Sequence, residues 1–347
     1  MTSPMKLALV ATGAAVGMIA RNVYRRSRER DLTGEVVLIT GGSRGLGLAL
    51  ARRFAARGCR LAICARDKEE LERARMGLAE LGAEVIAVAC DITNRSEIDQ
   101  LIQEVTAQFG RIDILVTNAG QIQVGPIESL VIEDFEDAMN VMFWGTVYPT
   151  LALLPVFLER NRGQIVNITS IGGKVSVPHM LPYTSAKYAA TGFSEGLRSE
   201  LSQTGIKVTT IAPGLLRTGS YNAALFKGDQ EAEAAWFSVG ASMPGLSMDA
   251  DRAARQIVQS VQCGDAEKVL TAPANLLARV HGLAPTLTGA AMGLAGALLL
   301  PKGASPASSD NKHSKPGWDL PNLQSPKMRA VLFLGRMAAR RLNQKYA

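Results

Sequence analysis

Seven short runs of β-branched and aliphatic residues recur through the middle of the chain: EVVLIT (35–40), RLAICA (60–65), EVIAVA (84–89), IDILVT (112–117), QIVNIT (164–169), IKVTTI (206–211) and EKVLT (267–271). Between them lie longer stretches, such as 46–57 and 68–81, whose apolar residues fall at helical spacing. Strands that are apolar throughout must be covered on both faces, and strands joined by helix-length connections run parallel. The pattern predicts an α/β fold, a doubly wound seven-stranded parallel sheet with helices on both faces, filling residues 34–272 as one domain. With 347 residues, 47% hydrophobic and 20% charged, the chain has material for a large core, unlike a disordered, collagen-like or polytopic membrane protein.

The formal charge of +7 sits at the ends: residues 1–31 carry net +4, residues 301–347 net +7, and residues 32–300 net −4. A nucleic-acid binder carries a basic stripe on its folded body and aromatic residues for stacking, whereas this body is slightly acidic and aromatics make up 5%. The distribution argues against nucleic acid as a partner and fits an anionic membrane surface better. Cys59, Cys64, Cys90 and Cys263 lack CxxC spacing and read as reduced core residues on the cytosolic side. His179, His281 and His313 are too scattered to ligate an ion, so no metal is expected.

Residues 7–20 (LALVATGAAVGMIA) are free of charge and about 21 Å long as a helix, against about 30 Å of hydrocarbon. Lys6 and Arg21 can snorkel and lengthen the segment. Arg21, Arg25, Arg26, Arg28 and Arg30 follow the run, the reverse of a cleavable signal peptide. Residues 1–31 therefore read as an N-terminal apolar anchor helix with an Arg-rich flank, holding the next domain in the cytoplasm. An apolar N-terminus packed on the domain, or a self-association helix, is the alternative.

Directly after the first strand comes Thr40-Gly41-Gly42-Ser43-Arg44-Gly45-Leu46-Gly47, followed by an amphipathic stretch. Glycines let the backbone turn tightly and approach a pyrophosphate, whose charge the amides and dipole of a helix start stabilise. Placed between a buried strand and a helix, the turn reads as a phosphate cradle, although its Gly-x3-Gly-x-Gly spacing differs from GxGxxG. Further on, Tyr183 and Lys187 stand four apart in a helical pattern and share one face. A phenol with a pKa of about 10 is a poor proton donor or acceptor at neutral pH. An adjacent ammonium favours the phenolate, lowers that pKa and makes Tyr183 a usable general acid–base.

Taken together, TGGSRGLG, Asp91 after the third strand, Asn118-Ala119-Gly120 after the fourth, Ser170 with Tyr183-x3-Lys187, Asn140 in the long fourth-to-fifth connection, and Pro213-Gly214 with Thr218 after the sixth resemble the single-domain branch of the short-chain dehydrogenase/reductase family over residues 34–272. Thr117 departs from the second asparagine that family often has there. The resemblance implies a Rossmann-type fold and a nicotinamide dinucleotide held by Gly41, Ser43, Arg44, Gly45, Leu46, Gly47, Asp91, Asn118, Ala119, Gly120, Tyr183, Lys187, Pro213, Gly214 and Thr218. It implies that Tyr183 exchanges the proton as hydride moves, Ser170 holds the substrate oxygen, Lys187 also reaches the nicotinamide ribose, and Asn140 holds a water in a proton relay. Relatives pair through the helices bearing Asn140 and Tyr183, so a homodimer or homotetramer is expected.

The second strand ends in Cys64-Ala65-Arg66, so the carboxylate that would bond the ribose of NAD is missing and a guanidinium able to fork onto phosphate follows. Arg44 adds a second cation. NADP(H) is expected over NAD; Asp67, free to pair with Arg66, is the counter-argument. Asp91 serves either the adenine side or the following helix as its N-cap.

Residues 220–248 carry Tyr221, Leu225, Phe226, Trp236, Phe237 and Met243, either an apolar lid or packing for the core or a subunit contact. His179 either lines the pocket or is a loop residue without a catalytic task. Residues 283–300 are free of charge but broken by Pro285, and the basic tail beyond them opposes a crossing. Within an apolar extension at 273–300, a re-entrant or surface-lying helix is therefore preferred to a span, with a core-packed helix as the alternative. Residues 301–326 read as a flexible linker and 327–347 as a basic amphipathic helix lying on an anionic bilayer. The expectation is a membrane-associated, NADP(H)-dependent oxidoreductase facing the cytoplasm, which interconverts a ketone and a secondary alcohol on an apolar, lipid-like small molecule. The alternative is a membrane-attached dinucleotide-binding redox sensor without turnover.

Overall fold

The computed structural model describes Ser27, residues 29–302 and residues 313–345. The expected anchor at 7–20 lies outside the described residues.

Seven strands form the central sheet: β1 (Val36–Thr40), β2 (Arg60–Ala65), β3 (Val85–Ala89), β4 (Ile114–Thr117), β5 (Gly163–Ile168), β6 (Ile206–Ala212) and β7 (Glu267–Val269). All neighbours are parallel, in the spatial order β7-β6-β5-β4-β1-β2-β3. Chain order reverses between β1 and β4, which opens a crevice beyond the carboxyl ends of those strands. All seven expected strands are present. β1 shows why they were legible: every residue is buried, and the two-residue period sends side chains alternately to two cores. Val37 and Ile39 pack with Phe54 and Ile257, and Val36 and Leu38 with Leu101 and Phe157.

The helices are α1 (Gly45–Ala55), α2 (Lys68–Ala79), α3 (Arg95–Phe109), α4 (Ile132–Met139), α5 (Gly145–Glu159), α6 (Leu181–Glu200), α7 (Gln230–Ser242), α8 (Ala250–Cys263), α9 (Ala272–Leu283) and α10 (Pro285–Leu299). Asp67, Asn94, Asp229 and Asp249 cap α2, α3, α7 and α8 with side-chain oxygens. At the amino ends of the strands a buried carboxylate is paired with partly exposed arginines. Asp113 accepts from the Val36 amide at 3.0 Å and pairs with Arg111 at 2.8 Å and Arg160 at 2.6 Å. Binding chemistry is left to the opposite end.

The C-terminal region departs from expectation. Within the expected linker, Lys315 and Pro316 pair antiparallel with Phe226 and Leu225, and Leu320 and Leu323 join a third core with Tyr221, Phe237 and Leu332. The expected linker also holds a short helix, α11 (Pro321–Gln324), and the expected single basic helix is broken at Leu332 into α12 (Pro326–Val331) and α13 (Phe333–Arg341). Leu332, Ala338, Ala339 and Leu342 face the domain while Val331, Phe333 and Met337 face out. Close approach depends on a missing side chain, because a Cβ on Gly219 would lie 2.4 Å from that of Ala339. α9 and α10 pack against each other, and α10 buries only Thr288, which removes the core-packed alternative.

Candidate active site

A cavity of about 900 Å3 opens at the carboxyl ends of the strands. Every site residue expected from the sequence lines it except Gly47 and Asn140.

At one end stands the glycine turn. Gly41 adopts φ +65°, and a Cβ there would lie 2.9 Å from the Ala119 Cα. Gly47 sits behind the turn, where a Cβ would fall 2.0 Å from the Gly41 carbonyl oxygen, so it shapes the cradle without facing it. Asn118 pins the end of β4 to the turn, its amide donating to the carbonyls of Thr40 and Gly41, both at 3.1 Å. Arg44, the N-cap residue of α1, is extended and supplies no side-chain cap, and Arg44, Gly45 and Leu46 line the cavity at the positive end of the helix dipole. The turn therefore fits a dinucleotide diphosphate.

Beside the turn, Arg66 has no acidic partner among the described residues. Asp67 instead caps α2, accepting from the Glu70 amide at 2.9 Å, and pairs with Lys345 at 3.4 Å. The Glu70 amide first, then Lys345, hold its carboxyl below the ordinary carboxylate value. Asp67 is thus engaged by the α2 cap and Lys345 rather than by Arg66. Sequence reasoning missed Glu70, which is buried, pairs with Arg44 at 3.0 Å and accepts from the Ser43 hydroxyl. Its signal was the Asp-x-x-Glu spacing of a capped helix start. Asp91 lines the cavity and accepts from the Thr93 amide at 3.0 Å and hydroxyl at 2.8 Å; the capping of α3 falls to Asn94.

In the middle, Ser170 accepts from the Gly172 amide at 3.0 Å and hydrogen-bonds the Tyr183 phenol. On the same face of α6, Lys187 lies 6.0 Å from the centre of the Tyr183 ring and donates to the Ile168 carbonyl at 2.9 Å. Burial pulls the Lys187 amine down to about 8. The expected lowering of the phenol by the ammonium is not what the structure shows. Burial raises the Tyr183 phenol above its ordinary value and the Ser170 bond only partly offsets this. The outcome is a phenol that stays protonated at neutral pH, suited to giving a proton away.

Asn140 is a correction. It is exposed and outside the cavity lining, at the start of a π-helical turn (Asn140–Trp144) between α4 and α5. The side chain turned inward is Met142, 1% exposed, which packs with Ala138, Ala186 and Tyr183. A Cβ on Gly120 would find the Met142 Cγ and the Lys187 Nζ each at 3.8 Å. Two residues on a helix point to nearly opposite sides, so an asparagine two positions from the buried stripe cannot serve the site. The stripe itself, Ala138 and Met142 four apart, was the signal. Thr117 has a use of its own, donating to Asn167 at 2.8 Å in a buried network that reaches Ser194.

Beyond Tyr183 the cavity wall is apolar, with Val177, Met180, Trp236, Phe237, Leu277 and Met292. The stretch expected to form either a lid or packing does both. Leu225, Trp236 and Phe237 line the cavity, Tyr221 and Phe226 fill the third core, and Met243 is exposed. His179 does not line the cavity; its Nδ1 lies 2.7 Å from buried Glu233, which also accepts from the Trp236 indole at 2.6 Å. The histidine thus fastens its loop to α7.

The profile of the short chain dehydrogenases matches residues 35–226. The chain is 42% identical over 194 residues to the dehydrogenase/reductase SDR family protein 7-like of Anopheles gambiae, a match spanning 54% of this chain and 61% of that relative. An actinorhodin polyketide ketoreductase variant solved with NADPH superposes with a TM-score of 0.62 at 31% identity, over 69% of this chain and 95% of that one. A short-chain dehydrogenase/reductase of Burkholderia phymatum solved with NAD gives 0.69 at 25% identity, over 74% and 96%. With a parallel sheet reversing at β1, a glycine turn that fits a diphosphate, and Ser170, Tyr183 and Lys187 gathered beside it, the chain belongs to the short chain dehydrogenase family of oxidoreductases.

Proposed function

We propose that this chain is an NADP(H)-dependent reductase of ketones on apolar, lipid-like molecules, working reversibly on the secondary alcohols. The observation that carries the reading is the placing of Ser170, Tyr183 and Lys187 between a phosphate cradle and an apolar wall. When bound, the nicotinamide supplies hydride to the carbonyl carbon. Ser170 holds the carbonyl oxygen, Tyr183 gives it a proton, and the Lys187 ammonium stabilises the phenolate left behind. Unpaired Arg66 and Arg44, held by Glu70, favour NADP(H), in keeping with the NADPH of the ketoreductase neighbour; the NAD of the other neighbour is the contrary precedent. In an assay of NADPH consumption over a panel of lipophilic ketones, turnover with NADPH at least about tenfold above NADH is expected. Tight dinucleotide binding with no ketone turned over would replace this reading with the redox sensor.

The membrane reading rests on the sequence at 1–31 and on α9 and α10. These helices expose leucines, from 61% at Leu294 to 88% at Leu283, while Leu277 and Met292 line the cavity. At 15 residues α10 is about 22 Å long, short of a bilayer core and suited to lying on its surface, where a lipid would enter beside Tyr183. The chain is expected to pellet with phosphatidylserine-containing vesicles, and Leu294→Asp with Leu298→Asp to weaken pelleting; unchanged pelleting would count against α10 as the contact. Trp144, Leu151 and Tyr188, apolar and exposed on the helices flanking the site, support pairing of subunits through that face.

A further inference from the structure

The last described residues reach the glycine turn. α13 ends at Leu342 because Asn343 takes φ +57°, a left-handed conformation that asparagine tolerates better than most residues, and the Gln344 amide closes the reversed turn on the Ala339 carbonyl at 3.0 Å. Arg341 holds the helix end through Asp249 at 2.8 Å and Asp251 at 3.1 Å. The next residues each bond a different part of the cofactor mouth. The Leu342 carbonyl accepts from the Gly45 amide at 2.9 Å. The Asn343 amide donates to the Ser43 carbonyl at 3.0 Å and to the Glu70 carbonyl at 2.8 Å, bridging the starts of α1 and α2. Lys345 reaches Asp67, as above.

Gln344 is the telling residue. It is 6% exposed, lines the cavity, and its side-chain oxygen is buried without a hydrogen-bond partner. Its side-chain nitrogen lies 3.0 Å from where a Cβ on Gly45 would be, and that same point is 3.9 Å from the Thr218 Cβ. The amide therefore sits between the glycine turn and Thr218. A buried acceptor left unpaired is costly unless something arrives to satisfy it. A ribose diphosphate has both hydroxyl donors and phosphate acceptors for the two ends of an amide. Lys345, for its part, neutralises the one carboxylate adjacent to Arg66 in the chain, which would otherwise repel a 2′-phosphate.

We propose that residues 342–345 form a wall of the dinucleotide site, with Gln344 serving the ribose diphosphate common to both nicotinamide dinucleotides and Lys345 admitting the 2′-phosphate. The second half rests on the NADP(H) reading above. Isothermal titration of the full chain with NADPH and with NADH tests it. Gln344→Ala is expected to weaken both by about tenfold, the loss of a hydrogen bond to a charged group. Lys345→Gln is expected to weaken NADPH by about fivefold and leave NADH unchanged. The thermal midpoints of the cofactor-free variants should match the wild type. Unchanged affinity in either variant, tighter binding, which would make the segment an occluding plug, or a loss that follows a lowered cofactor-free midpoint would each overturn the proposal. A wild type preferring NADH would defeat the cofactor reading alone, since Gln344→Ala reports on the segment with either dinucleotide.

Discussion

Replacing Tyr183 with phenylalanine is expected to lower kcat for ketone reduction by about a thousandfold, about 4 kcal/mol of barrier, while NADPH affinity stays within about threefold of wild type. The ring still fills its place against Met142 and Ala186. What is lost is the one hydroxyl that Ser170 holds beside the cavity and that burial keeps protonated. Steady-state rates paired with dinucleotide titration check this, and a variant retaining more than a tenth of wild-type kcat would assign the proton to another group.

Lys187→Met should move stability and activity in opposite directions. The amine is 5% exposed and held at about 8, below its ordinary 10.5. Between those two values the unfolded chain holds a proton that the folded chain does not, so stability rises with pH across that window. Below it the full cost, about 3 kcal/mol, is present. Methionine removes that cost and forfeits the bond to the Ile168 carbonyl, about 1 kcal/mol. A gain of about 2 kcal/mol remains, read as a thermal midpoint several degrees higher at pH 7. Turnover should fall by about a hundredfold or more, because no cation then stabilises the phenolate. In the wild type the same amine should make ketone reduction decline as pH rises through about 8. A midpoint lowered at pH 7, or a pH profile flat to pH 10, would contradict this account of Lys187.

Much of this architecture was legible because its causes are local. A strand such as Val36–Thr40 is apolar at every position because both its faces are covered, and a glycine turn between strand and helix has few other uses. The Tyr183–Lys187 pair follows from helical spacing alone. Asn140 lies off the site because helical phase outranks residue type: the buried stripe runs through Ala138 and Met142, and the asparagine falls between them on the exposed side. The direction of the Tyr183 shift failed for another reason, since spacing brings the ammonium near but says nothing of how much water the fold removes. The return of residues 342–345 to the glycine turn rests on hydrogen bonds between distant parts of the chain, the Leu342 carbonyl meeting the Gly45 amide and the Asn343 side chain meeting the Ser43 carbonyl. Such contacts leave no periodicity to read. The burial of Leu320 and Leu323 was hidden likewise, because the composition around them is that of a linker.

A chain that passes hydride to a carbonyl protonated by Tyr183 must leave one nicotinamide hydrogen on the product carbon. Incubating the full chain with NADPH carrying deuterium at the transferring carbon of the nicotinamide, together with lipophilic ketones, and weighing the alcohols by mass spectrometry tests it most directly. Alcohol carrying one deuterium is expected with the wild type, and almost no alcohol with Tyr183→Phe. NADPH bound tightly, with no labelled alcohol formed by the wild type, would contradict it.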